Sequence, residues 1–350
     1  MVLYRVPVRH LLPINAMPTS SRTLLMEPSP DPPLVTAVIG NWNGAAVLPD
    51  CLRTLREQTH RAIEVIVVDN ASADASREVA AEFGARWIAM GRNAGLASAL
   101  NRGAREARGE FVLFLNNDMR FHPRFVQALV DELQQRPDAF AADAVQYDWE
   151  GCRPIHEATY LATPGQGTAG VEVAPGLSLF QRSETSPVEV LTASGANLLA
   201  RRRLFEMLGG FNASMFLGYE DLDLCWRARL RGWPIVYVPS AICWHRESVA
   251  SNSNEGSPIR LRGTVLGRLI FTTQWLPLIG IVQAWGRALV AVGLDIARLR
   301  WSRAMNRGKA VTSALWLLPE LLRTRRNGYA MATRTPAGFL NELRQIGDQR

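Results

Sequence analysis

The run EFVLFLNND at residues 110–118 decides how the chain is read. Phe111 to Leu115 are all apolar, as in a strand covered on both faces. The run stops at Asn116-Asn117-Asp118, which holds a single charge, and Pro123 then opens a helical pattern. Two earlier runs end in the same way. LVTAVIGN closes on Asn41 and leads into Trp42, Asn43 and Gly44, and IEVIVVDN closes on Asp69 and Asn70. Helical patterns cover residues 47–59, 72–83, 96–107 and 123–135, and a short strand is read at 85–89. This alternation predicts an α/β fold: a doubly wound, mostly parallel sheet with helices on both faces. Ligands of such sheets bind outside the carboxyl ends of the strands. One Asn or Asp at a strand end is ordinary turn chemistry. Several on one sheet edge point to a ligand site.

The chemistry available there is limited. No P-loop, GxSxG elbow or HExxH pair occurs. Phosphates would have to be neutralised by a metal, by backbone amides or by arginine. A hard divalent ion takes oxygen ligands and needs few protein carboxylates when phosphates supply the rest. Asp118 suits such an ion. His245, closing the strand pattern IVYVPSAICWH, is a second candidate, though a lone histidine is more often a packed or capping residue. Asp221 opens the helical segment GYEDLDLCWRARLRGW, where a carboxylate either caps the helix or acts as a general base. Glu220 and Asp223 should face elsewhere. VLTASGANLLARR reads as a strand running into a short basic helix.

The 350 residues suffice for a large core. The four cysteines show no CxxC and no pairing rhythm, and read as reduced thiols in a cytosolic setting. The N-terminal MVLYRVPVRHLLPINAMP is broken by arginines and prolines and does not read as a signal peptide. Together with the following PSPDPP it makes residues 1–33 a flexible lead. Residues 147–188, rich in Gly, Pro, Thr and Ser, read as a long irregular insert. GQGTAG at 165–170 matches a dinucleotide fingerprint, but no strand precedes it and no helix pattern follows, so the match is rejected.

The formal charge is +7, and residues 256–350 hold 15 Arg and Lys against 4 Asp and Glu. The basic excess is therefore in the tail, which implies an anionic partner. No zinc finger, basic zipper or RNP-like motif favours nucleic acid, so an anionic membrane surface is expected. Residues 269–286 lack charge and approach the ~20 residues that span a bilayer. Arginines and tryptophans at the edges of such stretches fit helices lying in the membrane interface. A true span, or an ordinary core or dimer helix, remains open on sequence.

Taken together and in order, VTAVIGNWNG, IEVIVVDNASAD, NAGLASALNRG, FLNND, SGANLLARR, GYEDLDLCWRARLRGW and the closing WH resemble the family 2 glycosyltransferases of GT-A fold, most of all bacterial rhamnosyltransferase-type members. The resemblance, which spans about 35–245, implies a nucleotide-binding half at 34–146 and an acceptor and catalytic half at 147–255; the tail's own charge and helical pattern add a basic, helical, membrane-associated region at 256–350. It implies that Trp42, Asn43 and Asp69 hold the nucleoside, and that Asn93 and Asn101 border the donor pocket. It places Asn117 on the ribose or phosphate and Ser194, Gly195 and Asn197 beneath the donor sugar. Asp221 becomes the catalytic base, and Asp118 and His245 the ligands of Mg²⁺ or Mn²⁺. The implied reaction is inverting transfer of one sugar from dTDP-rhamnose or a UDP-sugar to a cell-envelope glycan or lipid-linked acceptor, at the cytoplasmic face of the inner membrane. No QxxRW motif of processive synthases is present. Gly40-Asn41 departs from the family's usual residues at the end of the first strand, and a homodimer is compatible with the pattern. The alternatives are a non-catalytic GT-A-like scaffold, suggested by the single carboxylate of Asn-Asn-Asp, and a nucleotidyltransferase, whose glycine-rich signature is missing.

Overall fold

The computed structural model describes residues 31–162, 171–175, 177–246, 258–331 and 336–348. The first part of the chain runs β1 (Val35–Asn41), α1 (Leu48–Arg56), β2 (Ile63–Asp69), α2 (Ser76–Glu82), β3 (Arg86–Ala89), α3 (Leu96–Glu106), β4 (Phe111–Asn116), β5 (Met119–Phe121) and α4 (Phe125–Gln135). Then come β6 (Ala141–Asp148), β7 (Pro154–His156), β8 (Ala158–Leu161), β9 (Val171–Ala174), β10 (Leu177–Arg182), β11 (Val188–Val190), β12 (Asn197–Arg201), α5 (Arg202–Met207), α6 (Glu220–Leu230) and β13 (Ile235–His245). Four helices follow: α7 (Pro258–Trp275), α8 (Leu278–Ala297), α9 (Trp301–Met331) and α10 (Pro336–Asp348).

The main sheet has the order β11-β13-β6-β12-β4-β1-β2-β3. β1 lies parallel between β2 and β4, in a register that sets Asn41 opposite Asp69 and Gly40 opposite Asn116. These strands are continuous apolar runs because helices cover both faces. On α1, for example, Leu48, Cys51, Leu52 and Leu55 recur at helical spacing and are buried. The expected parallel sheet is parallel among β1 to β4 but mixed beyond. β12 runs antiparallel to both β4 and β6, while β13 is parallel to β6. A short strand buried on both faces looks the same in sequence whichever way it runs.

The insert is a further correction. Residues 147–188 hold ordered strands: β7 pairs with β6, and β8, β10 and β9 form a separate antiparallel sheet. These strands are three to six residues long, too short to show a clear period. The GQGTAG segment lies outside the described residues, as does most of the expected 1–33 lead.

The uncharged stretch 269–286 is not one helix. α7 ends at Trp275, and Pro277 precedes α8 and interrupts the hydrogen-bond ladder. The residues from Leu269 to Trp275 are all buried. They share a core with Leu161, Leu177, Leu222 and Trp226 from the body of the fold. Trp226 meets Phe271 and Phe339 edge-on, each at 5.2 Å between centroids. Trp275 Nε1 donates to the buried Asp223 Oδ1 at 2.7 Å. Asp223 also binds Arg227, so its charge is compensated. Asp223 thus points away from Asp221, as helix geometry requires.

α7 is therefore structural, and its burial can be tested. Trp275→Ala should destabilise the fold by about 3–5 kcal/mol, whereas Trp316→Ala, at a position 76% exposed, should stay within about 0.5 kcal/mol. Urea unfolding of the two variants separates these outcomes.

Candidate active site

The carboxyl ends of β1, β2 and β4 form one polar cluster. Asn41 is buried, and its Nδ2 donates to Asp69 Oδ1 at 3.0 Å and to Ser72 Oγ at 3.2 Å. Asn117 Nδ2 donates to Asn41 Oδ1 at 2.8 Å, tying β4 to β1. The Ser72 hydroxyl and backbone N–H both donate to Asp69. The turn after β1 is pulled inward: the Asn43 N–H donates to Ser72 Oγ, and Asn43 Oδ1 accepts from the Ala73 N–H. Gly44 is required here because a Cβ would lie 2.1 Å from Asn117 Nδ2 and 2.2 Å from Asn41 Oδ1. Trp42 stands at the rim, 40% exposed.

Asp118 and His245 meet although 127 positions separate them. β13 pairs antiparallel with β5, setting His245 opposite Met119. His245 Nε2 lies 3.0 Å from Asp118 Oδ1 and 3.3 Å from Asn116 Nδ2. Both side chains keep a little exposure, 15% for His245 and 12% for Asp118. Among the described residues no group of three or more His, Cys, Asp and Glu is arranged to hold a metal. This pair would supply two ligands, so a divalent cation here would depend on substrate oxygens.

Asp221 lies across the 194–196 turn from this cluster. The Asn116 N–H reaches Ala196 O at 3.4 Å, and the Gly195 N–H donates to Asp221 Oδ2 at 3.1 Å. Gly195 allows this approach, since a Cβ there would lie 3.3 Å from the Asp221 Cβ. Asp221 Oδ1 accepts from the Leu222 N–H at 2.7 Å. Tyr219, not Asp221, occupies the helix N-cap, with a left-handed φ of 72° that costs a non-glycine residue about 1–2 kcal/mol. Burial pushes the Asp221 carboxyl above its ordinary range, opposed by the Gly195 and Leu222 amides and by the charge of His156. Its neighbour Glu220 is pushed up to about 8 by burial and then by the charge of Asp221.

Asp221 opens into a cavity of about 390 Å³ that His156, Gln181, Thr192, Tyr219 and Arg268 also line. Tyr219 Oη donates to Val173 O at 2.6 Å, and Arg268 Nε donates to Tyr219 Oη at 3.0 Å. The insert thus forms one wall of this cavity. His156 and Arg268 had no motif to mark them; only the fold brings them beside Asp221. A second cavity, of about 450 Å³, opens at the far end of β2 among Arg56, Arg61, Arg86 and Arg108. None of the strand-end carboxamides line it.

Several expected residues have other partners. The Asn101 carboxamide both donates to Phe211 O and accepts from the Phe211 N–H, each at 2.8 Å, which pins that loop. Asn93 Oδ1 accepts the Gly95 N–H. Asn197 is fully buried and donates to Ala144 O at 3.1 Å. It is the first residue of β12, within the sheet. Ser194 donates its N–H to Asp143, and its hydroxyl accepts from the Ala196 N–H.

Known proteins supply the context for this geometry. The family model "Glycosyl transferase family 2" matches residues 36–209. The chain is similar to the N-acetylglucosaminyl-diphospho-decaprenol L-rhamnosyltransferase of Mycobacterium tuberculosis (strain H37Rv). Identity is 28% over 227 residues, covering 59% of this chain and 74% of that protein. It is 23% identical to the poly-beta-1,6-N-acetyl-D-glucosamine synthase of Staphylococcus aureus (strain COL) over 214 residues, 60% of this chain and 49% of that one. Among solved structures, GalNAc-T7 with UDP, GalNAc and Mn²⁺ superposes with a TM-score of 0.58 at 15% identity, covering 79% of this chain and 55% of that one. S. aureus TarS superposes with a TM-score of 0.50, covering 75% of this chain and 43% of that one. These likenesses establish the GT-A-like fold, and through residues 36–209 the chain belongs to glycosyl transferase family 2.

Proposed function

We propose that the protein is an inverting, non-processive glycosyltransferase that moves one sugar from a nucleotide-sugar, dTDP-rhamnose or a UDP-sugar, to a hydroxyl of a lipid-linked or cell-envelope glycan. The observation that supports it is the placing of Asp221, which faces an open cavity and is joined through the 194–196 turn to the Asn116-Asn117-Asp118 strand end. In this reading the nucleotide lies over the Asn41, Asp69 and Asn117 cluster, with Trp42 at its edge, and the acceptor enters the cavity of Asp221. Asp221 takes the proton of the acceptor hydroxyl. The oxygen forms a bond to the anomeric carbon from the face opposite the diphosphate, whose bond to that carbon breaks with inversion. The raised affinity of Asp221 for protons makes it a stronger base for this step.

Asp118 and His245 fit a cation that also takes phosphate oxygens, and GalNAc-T7 holds Mn²⁺ together with UDP. Such an ion supplies positive charge against the leaving diphosphate. The mycobacterial relative's name specifies a lipid-diphosphate acceptor, which supports a lipid-linked acceptor here.

α8 supports a site at the membrane surface. It is long and apolar enough to cross a bilayer, yet only 17% of its apolar window is buried. Leu278, Val282, Leu289 and Ile296 recur at helical spacing on its exposed side. Arg287 on α8 pairs with Glu172, which favours a helix lying in the interface over one crossing it.

Asp221→Asn should lower kcat by roughly 10²- to 10⁴-fold while thermal melting and donor KM hold steady. Wild-type kcat should fall as pH drops through the raised Asp221 value, above the ordinary carboxylate range. Transfer retained in the variant rules out the base assignment. Calorimetric titration should show weak Mn²⁺ binding alone and stronger binding with UDP or dTDP present. Asp118→Ala should abolish that gain, and tight Mn²⁺ binding without nucleotide would contradict the two-ligand site. Leu289→Glu together with Val290→Glu should leave the melting temperature unchanged but release the protein from vesicles containing anionic lipid, read by co-sedimentation.

A further inference from the structure

Asp143 on β6 is fully buried, and two groups compensate its carboxylate. His156 Nε2 lies 2.7 Å from Oδ2, and the Ser194 N–H donates to Oδ1 at 3.1 Å. The next amide, Gly195 N–H, donates to Asp221 Oδ2. One turn of backbone therefore connects the buried Asp143 to the carboxylate of the proposed base. On the other side, His156 Nδ1 faces the Gln181 carboxamide at 3.1 Å. That amide can turn to serve either the neutral or the doubly protonated ring. His156 and Asp221 line the same cavity.

We propose that His156, anchored by Asp143, is a positioning residue that sets the charge and orientation of Asp221 across the acceptor cavity. The assignment rests on the reading of Asp221 as the base. Mere burial of Asp143 needs a hydrogen-bond donor, but it does not need that donor to stand in an open cavity opposite a second carboxylate. His156 is favoured in its protonated form: burial works against it, but the charges of Asp143, Asp221 and Glu157 and the bond to Asp143 outweigh that. The titratable and charged groups around Asp221 are Glu220 beside it on α6, protonated up to about 8, Tyr219 and Cys225 at and within α6, Arg268 of α7 in the same cavity, and His156 at the end of β7. The positive ring holds Asp221 ionised at a lower pH than burial alone would allow, while the Gly195 amide fixes which oxygen faces the cavity. Without His156, Asp221 would hold its proton to higher pH.

The Gly195 amide reports this coupling directly, because it donates to Asp221. In full-length protein labelled with ¹⁵N-glycine, the Gly195 resonance should titrate with Asp221, and the titration should vanish in Asp221→Asn. In His156→Gln, or in His156→Asn should the former fold poorly, the midpoint should rise by about half a pH unit or more. His156→Lys, which restores a positive charge, should bring it back toward wild type. In transfer assays with a nucleotide-sugar that wild type accepts, His156→Gln should lower kcat about threefold or more on the acid limb, with donor KM within about twofold and that limb moved to higher pH. A midpoint unchanged in His156→Gln, or one that His156→Lys fails to recover, overturns the proposal. The NMR titration needs no turnover, so a wild type inactive on every nucleotide-sugar would refute the transferase reading and leave this coupling to be judged separately.

Discussion

In-register parallel pairing of β1 with β2 and β4 sets Asn41 opposite Asp69 and Gly40 opposite Asn116, and the site depends on that pairing. Side chains alternate faces along a strand, so a slip of one residue would turn each of these groups to the other face. The register is held by apolar strands buried on both sides. The hydrogen bonds among Asn41, Asp69, Ser72 and Asn117 then close the edge. The same strand ends deliver the turn after β1 and the Asn-Asn-Asp triad to one crevice.

Charge is distributed unequally between the two sides of the 194–196 turn. The strand-end side is mostly neutral carboxamide, with Asp118 beside His245. The side around α6 concentrates the buried Asp143, Glu220 and Asp223 around the half-buried Asp221. Asp143 and Asp223 have cationic or hydrogen-bonding partners. Glu220 is different, since its Oε2 is buried without a hydrogen-bond partner. Burial, and then the charge of Asp221, raises its carboxyl to about 8. Its protonated form favours the fold fully below the ordinary glutamate range, and that contribution is lost as pH rises toward 8. Such a cost at the head of a helix, next to a left-handed Tyr219, is the kind of strain that functional sites hold.

Much of the fold was legible from pattern. The parallel strands announced themselves as apolar runs, and the helices between them by helical spacing and by Pro123. The antiparallel direction of β12 was not legible, because pairing direction leaves no mark on a short strand buried on both faces. The insert misled because strands this short show no period. The uncharged stretch 269–286 stayed open between core and surface because a buried helix and a lipid-facing helix want the same residues. Pro277 marked the break between them, but only the packing of Trp275 on Asp223 fixes α7 as core, and only exposure marks α8 as the apolar surface.

The sequence by itself determined the α/β class and the polar strand ends, and marked Asp118, Asp221 and His245 as candidates whose roles only the family resemblance implied. These follow from local chemistry: which residues can form a buried strand, end it, and hold a charge or a metal. The tertiary structure alone decided that His245 meets Asp118, that Asn101 bonds Phe211 and Asn197 bonds Ala144, and that His156 stands with Asp143 in the cavity of Asp221. Each of these is a contact between residues distant in the chain, brought together by strand order and loop paths. Periodicity records which face a residue takes and does not record its neighbour from another element.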